Sequence, residues 1–377
     1  MTISQDEIKA RAGRLGFSFI GCAPAEQTPH FSQYVNFISN HSLGDLSFLS
    51  KSYVITGREN PITLLNDAKS VIVLGSCYPS GPSQLDQDGN TNGAISAYGV
   101  LPDYHELVRE KAATLMMEFE QSSSSSIHWR VFIDSGPMME KDMAYAAGLG
   151  WIGKHSLCIH PDYGSYFFIC CILTDAELGQ ISPIPVKDLC GECNLCEQAC
   201  PTGCIHDHQV DATQCVSYLT IEHKGIIPRN LRGLIGNHIF GCDVCQSVCP
   251  HNQATSKPEN GLFFNLPDVV PASLNLSDEL NHTPDTFKEK FIGTPTLRIG
   301  IERYLRNVII AAGNSRDAHS VPALKRLVSH DSDLVAIHAA WALCMFSDRK
   351  LNHYLCEILD TEVSELVAAE IRDLALG

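Results

Sequence analysis

Apolar runs and amphipathic segments alternate over the first 175 residues. Four apolar runs have the length of buried strands, namely 17–22, 70–77, 130–134 and 166–173. Residues 104–121 and 137–148 carry apolar positions at helical spacing, and the polar segment 1–14 also favours a helix. The Gly- and Asn-rich stretch 84–96 is typical of a loop. This alternation predicts an α/β domain over residues 1–175.

The pattern changes after residue 175. Little apolar periodicity remains over 176–256, where prolines bracket a set of cysteines. Because the hydrophobic pattern alone does not organise this stretch, we expect bound metal to supply part of its folding energy. Residues 257–285 look like a linker. The sequence therefore predicts a separate cysteine-rich domain over 176–256.

The rest of the chain has helical character to its end. The predicted helices cover 296–313, 321–330, 333–346, 349–359 and 362–376. Short helices paired at this spacing suggest a HEAT-like repeat, and an ordinary helical cap is the alternative that the pattern leaves open. We expect a third domain over 257–377, made of the linker and these helices.

Composition and charge agree with a globular protein that works inside the cell. The 377 residues are enough for two or three domains, and 44% are hydrophobic against 19% charged. The apolar runs fall short of the roughly 18 residues of a membrane span, and the polar start does not resemble a signal peptide. We therefore expect a cytoplasmic protein, and nothing indicates an obligate dimer, so we expect a monomer.

The net charge of −16 disfavours unspecific binding of nucleic acid over the whole surface. The average conceals a local excess of positive charge, because the window 287–326 holds eight Lys and Arg residues against three Asp and Glu residues. A basic face in the C-terminal part is therefore compatible with the acidic chain.

Nine of the sixteen cysteines lie between Cys190 and Cys249. The run Cys-x2-Cys-x2-Cys-x3-Cys-Pro begins at Cys190, and Cys-x2-Cys-x3-Cys-Pro begins at Cys242. The first run is the bacterial ferredoxin pattern, in which the fourth cysteine ligates the other of two [4Fe–4S] clusters. Clustered cysteines in such a chain favour metal binding over disulfides. A zinc site built from Cys-x2-Cys pairs is the weaker alternative.

The crossing of the fourth cysteine assigns the ligands of both clusters. Cluster one takes Cys190, Cys193, Cys196 and Cys249. Cluster two takes Cys200, Cys215, Cys242 and Cys245. Cys204 competes with Cys215 for the last position, and we favour Cys215 because its distance along the chain lets the backbone wrap the cluster. Two clusters predict transport of single electrons, which fits a carrier as well as an enzyme.

Two segments of the first domain carry candidate chemistry. Asp134 ends a predicted strand, where α/β proteins often place ligand-binding groups, so it is a candidate general acid. The alternative is an N-cap for the helix predicted after it. The segment Gly148–His155 approaches a phosphate-binding loop but has His155 where Ser or Thr is required and follows a helix, so we reject nucleotide hydrolysis.

Several of these segments together resemble one family. They are Ile-Asp-Ser-Gly-Pro at 133–137, Ala-Gly-Leu-Gly-Trp-Ile-Gly-Lys at 147–154, the two cysteine runs, Cys-Val-Ser-Tyr-Leu-Thr-Ile-Glu at 215–222, Ile-Gly-Asn at 235–237 and Phe-Gly-Cys-Asp at 240–243. In this order, over residues 5–330, they closely resemble the epoxyqueuosine reductases. His155 departs from this family, which usually has Asn there, and Cys204 stands where a small apolar residue is usual.

The resemblance implies a fold, a reaction and cofactors. It implies an α/β cobalamin-binding domain, a ferredoxin-like domain with two [4Fe–4S] clusters and HEAT-like helices that hold tRNA. The implied reaction is reduction of epoxyqueuosine to queuosine at the wobble position of Asp, Asn, His and Tyr tRNAs, with electrons from an external donor. Asp134 matches the family's proposed proton donor. A small-molecule reductive dehalogenase with the same cofactors and a non-enzymatic electron carrier are the alternatives.

The resemblance also implies binding residues. The positions that match cobalamin-lining stretches are Arg58, Tyr98, Asp134, Lys154, His155, Ser156, Lys224, Gly241, Cys242 and Asp243. The basic window becomes a candidate surface for the tRNA backbone. Its candidate contacts are Arg298, Arg303, Arg306, Arg316, Lys325 and Arg326.

Overall fold

The structure is a computed structural model that describes residues 2–81, 91–123, 126–179, 181, 183–253, 261–359 and 363–376. Its strands are β1 Phe19–Pro24, β2 Ser70–Cys77, β3 Asn92–Ile95, β4 Trp129–Phe132, β5 Trp151–Ile152, β6 Cys158–Ile159, β7 Phe167–Thr174, β8 Ile205–His206, β9 Gln209–Val210, β10 His238–Phe240 and β11 Ser273–Asn275. Together they form four small sheets.

The α-helices are α1 Gln5–Arg14, α2 Phe31–Asn40, α3 Ser52–Glu59, α4 Tyr104–Ser122, α5 Glu140–Ala146, α6 Leu195–Ala199, α7 Val216–Ile221, α8 Arg229–Arg232, α9 Val244–Ser247, α10 Leu276–Glu279, α11 Pro284–Phe291, α12 Gly300–Ser315, α13 Val321–Leu327, α14 Asp333–Cys344, α15 Arg349–Ile358 and α16 Glu365–Leu376. The 3-10 turns are Gly44–Ser50, Pro61–Leu64, Ala97–Val100, Ala212–Gln214, Gly233–Ile235, Pro250–Asn252, Pro295–Ile299 and Ala318–Ser320. Within the described ranges, no helix is both long and apolar enough to cross a membrane.

The chain forms two compact units, and each is built from three segments that are not consecutive in the sequence. The first consists of Met1–Ser80, Leu101–Asp211 and Cys245–Pro267, and the second consists of Gly81–Val100, Ala212–Val244 and Asp268–Gly377. These units differ from the three consecutive domains expected from the sequence. In particular, the cysteine-rich stretch 176–256 contributes to both units.

The first unit is built on a four-stranded antiparallel sheet in the order β1-β2-β7-β4. Every residue of β2 is buried, because strands pair with it on both sides and helices cover the sheet. A strand buried on both faces has no alternation of apolar and polar residues, which explains the continuous apolar runs of β2 and β7. The four strands lie within two residues of their predicted bounds.

Helix α4 covers one face of this sheet. It begins at an N-cap, Asp103, whose carboxylate accepts a hydrogen bond from the backbone N–H of His105. Its buried positions include Val108, Ala112 and Leu115, which recur at helical spacing. The helix predicted over 104–121 is thereby confirmed. Helix α5 is shorter than the predicted 137–148.

The second unit combines a three-stranded sheet with the C-terminal helices. Strand β3 pairs in parallel with β10 and antiparallel with β11. The loop expected over 84–96 is therefore wrong for Asn92–Ile95, and the part at 84–90 lies outside the described residues. The linker expected over 257–285 is wrong from Ser273 onward, because β11, α10 and the start of α11 lie there. Residues 257–260 lie outside the described ranges.

The predicted C-terminal helices are present with bounds shifted by a few residues. Helix α14 is buried along nearly its whole length, and α12, α13, α15 and α16 pack around it. Gly313 lets α12 approach α14 closely, because a Cβ there would lie 2.9 Å from Cα of Ala342. Buried Arg232 on α8 is paired with Glu370 on α16 at 2.8 Å. A HEAT-like repeat remains a prediction.

Cysteines outside the 190–249 stretch differ in burial. Those of the first unit (Cys22, Cys77, Cys158, Cys170 and Cys171) are buried, as expected for small hydrophobic residues. Burial raises the pKa of the Cys22 thiol to about 12, so it stays protonated. The apolar sequence around Cys344 and Cys356 also predicts burial, but this is wrong for Cys356, which is exposed, and Cys344 is only partly buried.

Candidate active site and cluster cysteines

Asp134 lies in the loop that follows edge strand β4. Its backbone adopts a left-handed conformation with φ of +51°, which Asp tolerates better than most residues, and its side chain is exposed. The N-cap of α5 is Met139, so the alternative interpretation of Asp134 as the helix cap is wrong. Asp134 is therefore free of a helix-capping role and presents a carboxyl group to solvent.

Tyr104 holds this carboxyl group in place. Its hydroxyl donates a hydrogen bond to Oδ2 of Asp134 at 2.6 Å. The Tyr104 ring is buried and stacks on Phe168, with ring centroids 4.0 Å apart and planes inclined by 6°. Because Phe168 belongs to the central strand β7, stacking fixes the tyrosine against the sheet. The hydrogen bond to Asp134 then restrains the loop.

Further charged groups surround the Asp134 carboxylate. Burial raises the pKa of Glu140 to about 7, and the charge of Asp134 adds to this effect. Within the described part of the chain, Oε1 of Glu140 and Nε of Arg58 are buried without a hydrogen-bond partner. The Arg58 guanidinium stacks 4.9 Å above the Tyr34 ring. Buried polar atoms are normally satisfied, so these two atoms indicate that a ligand completes the site.

In the segment after α5, the backbone at Gly150 packs closely against the backbone at Ile159. Strand β5 pairs with β6, and a Cβ at Gly150 would lie 2.2 Å from the carbonyl oxygen of Ile159. The glycine is therefore required for strand pairing. Helix α5 precedes the segment, in agreement with the rejection of a phosphate-binding loop.

His155 and Ser156 follow in a tight turn. Ser156 has a left-handed backbone, and its carbonyl oxygen accepts a hydrogen bond from Nζ of Lys141 at 2.7 Å. His155 is buried, and its Nδ1 accepts the backbone N–H of Leu157 at 3.2 Å, which places the ring proton on Nε2. Nε2 has no partner among the described residues. Burial lowers the pKa of His155 to about 4, so the ring is neutral.

A second set of the predicted cobalamin residues lies in the second unit. Oδ2 of Asp243 accepts the backbone N–H of Ala97 at 2.6 Å, and burial raises the pKa of this carboxyl group to about 6. Gly241 has φ of +70°, and a Cβ there would lie 2.3 Å from Oγ of Ser96. The Tyr98 ring lies 5.7 Å from the ring of Phe240. Lys224 is exposed and Cys242 is partly buried.

The predicted cobalamin residues thus divide between the units. Arg58, Asp134, Lys154, His155 and Ser156 belong to the first unit, and Tyr98, Lys224, Gly241, Cys242 and Asp243 belong to the second. The structure adds three residues that the sequence did not single out, namely Tyr104, Glu140 and Lys141. No sequence signal identifies them, because Tyr104 and Lys141 act through hydrogen bonds to Asp134 and Ser156, and Glu140 through its burial near the charges of Asp134 and Arg58.

The four cysteines predicted for cluster one lie together in the first unit. Cys190 and Cys249 both pack on Trp151. Burial raises the pKa of Cys196 to about 11, and the neighbouring thiols Cys190 and Cys249 add to this effect. Cys193 and Cys190 are likewise close enough to Cys249 to raise its pKa. Among the described residues, no three His, Cys, Asp or Glu side chains converge on the position of a single metal ion.

Two N–H groups donate hydrogen bonds to the sulfur of Cys190. Nε1 of Trp151 donates to its Sγ at 3.5 Å. The backbone N–H of Lys154 also donates to this sulfur. Trp151 is buried, so its indole has a fixed position beside the cysteine.

The cysteines predicted for cluster two are distributed over both units. Cys200 and Cys245 belong to the first unit, and Cys215 and Cys242 belong to the second. Cys215 is the N-cap residue of α7. The competing Cys204 is buried, and its sulfur lies 3.5 Å from that of Cys200.

Comparison with known proteins decides the family. An epoxyqueuosine reductase of Pseudomonas aeruginosa is 35% identical over 343 residues, which cover 89% of this chain and 92% of the relative. The chain belongs to the epoxyqueuosine reductase family. The family model described as "Epoxyqueuosine reductase QueG, DUF1730" matches residues 58–135, and that of a "4Fe-4S double cluster binding domain" matches residues 189–252.

Solved structures of epoxyqueuosine reductases have the same fold. One of them, in a crystal with an epoxyqueuosine-modified stem loop of a tyrosine tRNA, has a TM-score of 0.87 at 30% identity and covers 99% of both chains. The Bacillus subtilis enzyme, with its catalytic loop swung out of the active site, has a TM-score of 0.86 at 30% identity and covers 99% of this chain and 98% of its own.

Two of the basic residues assigned to tRNA from the epoxyqueuosine reductase resemblance have other partners. Arg306 is fully buried, and its guanidinium donates to the carbonyl oxygens of Leu219, His223 and Gly225. Arg303 donates to three carbonyl oxygens as well. The contacts of fully buried Arg306 give it a structural role, because a guanidinium enclosed by carbonyl groups does not reach a phosphate, and those of partly buried Arg303 tie its guanidinium to the backbone.

The other four candidates lie nearer to solvent. Arg298, Arg316 and Arg326 are exposed, and Lys325 is partly buried over the ring of Tyr354. Arg326 also donates to the side-chain oxygen of Asn281 at 3.0 Å.

Proposed function

We propose that this chain reduces epoxyqueuosine to queuosine in tRNA, with cobalamin and two [4Fe–4S] clusters as cofactors. Removal of the epoxide oxygen leaves an alkene and releases water, so the reaction consumes two electrons and two protons. The position of Asp134 is the observation that carries the proposal. Its carboxyl group is exposed, is held by Tyr104 on a left-handed backbone and does not cap the helix that follows.

Asp134 is the proposed proton donor to the oxygen that leaves the epoxide. A general acid must lie within hydrogen-bond reach of the atom it protonates and must be positioned before the reaction. The hydrogen bond from Tyr104 fixes one carboxyl oxygen and leaves the other, Oδ1, for the substrate. Tyr104 is therefore a positioning residue.

Cobalamin fits three buried polar groups of the first unit that lack a partner among the described residues. Its corrin ring carries amide side chains, which donate and accept hydrogen bonds. Oε1 of Glu140 can accept from such an amide, whereas Nε of Arg58 and Nε2 of His155 can donate to its oxygen. Asp243 and Tyr98 of the second unit are further candidates. When bound, cobalamin and the clusters supply the two electrons of the reduction.

The match to a double-cluster domain over residues 189–252 supports the cluster cysteines assigned from the sequence. The proximity of Cys190, Cys193, Cys196 and Cys249 supports cluster one. We assign Cys200, Cys215, Cys242 and Cys245 to cluster two. An external donor must reduce these clusters, because the chain holds no further source of electrons in this proposal.

The substrate is proposed to be tRNA rather than a small organic halide. Membership in the epoxyqueuosine reductase family favours this substrate over the dehalogenase alternative, and a tRNA substrate also favours the expected cytoplasmic location. Arg298, Arg316, Lys325 and Arg326 remain candidates for contacts with the RNA backbone.

The experiment is turnover by anaerobically purified protein reconstituted with cobalamin. Iron, sulfide and cobalt are measured first, and about eight irons and one cobalt per chain are expected. Transfer RNA containing epoxyqueuosine is then incubated with the protein and a chemical reductant, and its nucleosides are analysed by mass spectrometry. Formation of queuosine supports the proposal. Fully loaded protein that leaves the epoxide intact contradicts it.

A further inference from the structure

A cavity of about 460 Å3 lies beside the Asp134 loop in the first unit. It is formed between helix α4 and edge strand β4, and its lining includes Arg109, Arg130 and Phe132. Ser135 and Gly136, which directly follow Asp134 in the same loop, also line the cavity. The cavity and the proposed proton donor therefore share one loop.

The two arginines of this cavity are available to a ligand. Arg109 lies 3.5 Å from Oγ of Ser135, which is the limit of a hydrogen bond, and Arg130 donates to the carbonyl oxygen of Leu64 at 3.3 Å. The Arg130 guanidinium is also oriented by the ring of Phe132, 5.2 Å away. Over the described ranges, neither arginine forms an ion pair with a carboxylate. In a chain of net charge −16, two unneutralised guanidinium groups at one cavity indicate an anionic ligand.

We infer that Arg109 and Arg130 bind a phosphate of the RNA chain next to the nucleotide that is reduced. This inference rests on the proposed function. A nucleotide whose base reaches Asp134 brings its own phosphodiester into the neighbourhood of the same loop. Guanidinium groups match phosphate geometry with paired N–H donors, which ammonium groups do not. Such contacts position an RNA without reading its sequence.

Replacement of both arginines should weaken the binding of RNA. The variant Arg109→Gln/Arg130→Gln is compared with the wild type, both carrying their clusters, by fluorescence anisotropy on a labelled anticodon stem loop at several salt concentrations. We expect a rise in Kd of about tenfold or more, because two charge-assisted hydrogen bonds are lost. The slope of log K against log salt should fall by about 0.7 per phosphate contact removed. In turnover, KM should rise far more than kcat falls, because the phosphate is bound equally before and during the reaction.

A matched control separates this site from general charge effects. Lys9 and Arg14 are exposed on α1 and do not line the cavity, so Lys9→Gln/Arg14→Gln removes the same charge elsewhere. This control should bind like the wild type. The variant Arg109→Lys/Arg130→Lys keeps charge and most of the packing, and we expect it to recover only part of the affinity. It also provides the measurement if the glutamine variant does not fold.

The outcomes distinguish this inference from the proposed function. Wild-type protein that converts the tRNA, together with glutamine and lysine variants that keep its affinity and salt slope, overturns the inference and leaves the proposed function standing. Equal loss of affinity in the Lys9/Arg14 control overturns it as well. Wild-type protein that binds the stem loop through both arginines without reducing it contradicts the proposed function and leaves the phosphate site standing.

Discussion

The hydroxyl of Tyr104 lies 2.6 Å from Oδ2 of Asp134 and donates a hydrogen bond to it. The two residues come from different elements, because Tyr104 begins α4 and Asp134 follows β4. Stacking of the tyrosine on Phe168 ties this contact to the central sheet. An exposed carboxyl group in a left-handed loop would otherwise sample many orientations. The pair therefore explains how a surface loop can hold a reactive group in one place.

Replacement of Asp134 tests the proton donor directly. We expect Asp134→Asn to lower kcat by about 10²- to 10⁴-fold, the range that a general acid contributes. Iron and cobalt content should stay at the wild-type level, because Asn keeps the size of the side chain and the other residues assigned to cobalamin and the clusters are unchanged. Quantification of queuosine after single turnover provides the measurement. Wild-type turnover by this variant would rule out the assigned role.

Replacement of Tyr104 by Phe tests positioning without removing the acid. The ring and its stacking on Phe168 remain, and the hydrogen bond to Asp134 is lost. A hydrogen bond to a charged group contributes about 1.5–3 kcal/mol, so we expect kcat to fall by roughly 10- to 100-fold. Affinity for the stem loop should not change. Tyr53→Phe, at an exposed tyrosine, is the matched control and should behave as wild type.

The fold was predictable where apolar runs are long. Strands β2 and β7 and helix α4 have eight or more residues each, and their bounds were predicted to within one residue. Strands β3, β10 and β11 have three or four residues, too few for a recognisable alternation, and they exist because distant segments pair. The sequence pattern carries no information on such pairing.

The candidate site was predictable only where a motif carries it. Asp134 and the cysteines stand in recognisable segments. Glu140 and Tyr104 belong to the site because the fold brings them to Asp134. Arg306 shows the opposite error, since it lies in a basic window but is buried among backbone carbonyl groups, and that environment is set by tertiary packing.

Protonation of Glu140 should be visible as a pH dependence of stability. Burial raises its pKa from 4.5 to about 7, so between these values the folded state holds a proton that the unfolded state releases. The free energy of unfolding therefore falls as pH rises from about 4.5 to 7. Glu140→Gln mimics the neutral acid and should remove this fall. At pH 8 it should be more stable than the wild type by on the order of 3 kcal/mol.

Denaturant unfolding of cobalamin-free protein at pH 5 and pH 8 measures this difference. Glu110→Gln, at an exposed position of α4, is the matched control for loss of one carboxylate. An equal pH dependence in wild type and Glu140→Gln would show that Glu140 is ionised throughout this range, contrary to the prediction.

Iron content distinguishes Cys204 from Cys215 as a ligand. The sulfurs of Cys200 and Cys204 lie 3.5 Å apart, in direct contact. Two ligands of one cubane bind different irons at separate corners, so contacting sulfurs do not suit this arrangement. We expect Cys204→Ala to keep about eight irons per chain and Cys215→Ala to lose iron from cluster two. Iron loss in Cys204→Ala with full occupancy in Cys215→Ala would reverse the assignment.

Trp151 should influence the reduction potential of cluster one. Its indole N–H donates to Sγ of Cys190 at 3.5 Å, and hydrogen bonds to cluster sulfurs stabilise the reduced, more negative state. Trp151→Phe removes the donor and keeps an aromatic ring, so the potential of one cluster should shift to a more negative value. Redox titration followed by electron paramagnetic resonance measures both clusters separately. Trp341→Phe, at a buried tryptophan of α14, should leave both potentials unchanged. If the reduction potential of neither cluster shifts in Trp151→Phe, the indole does not act on cluster one, even if turnover is reduced.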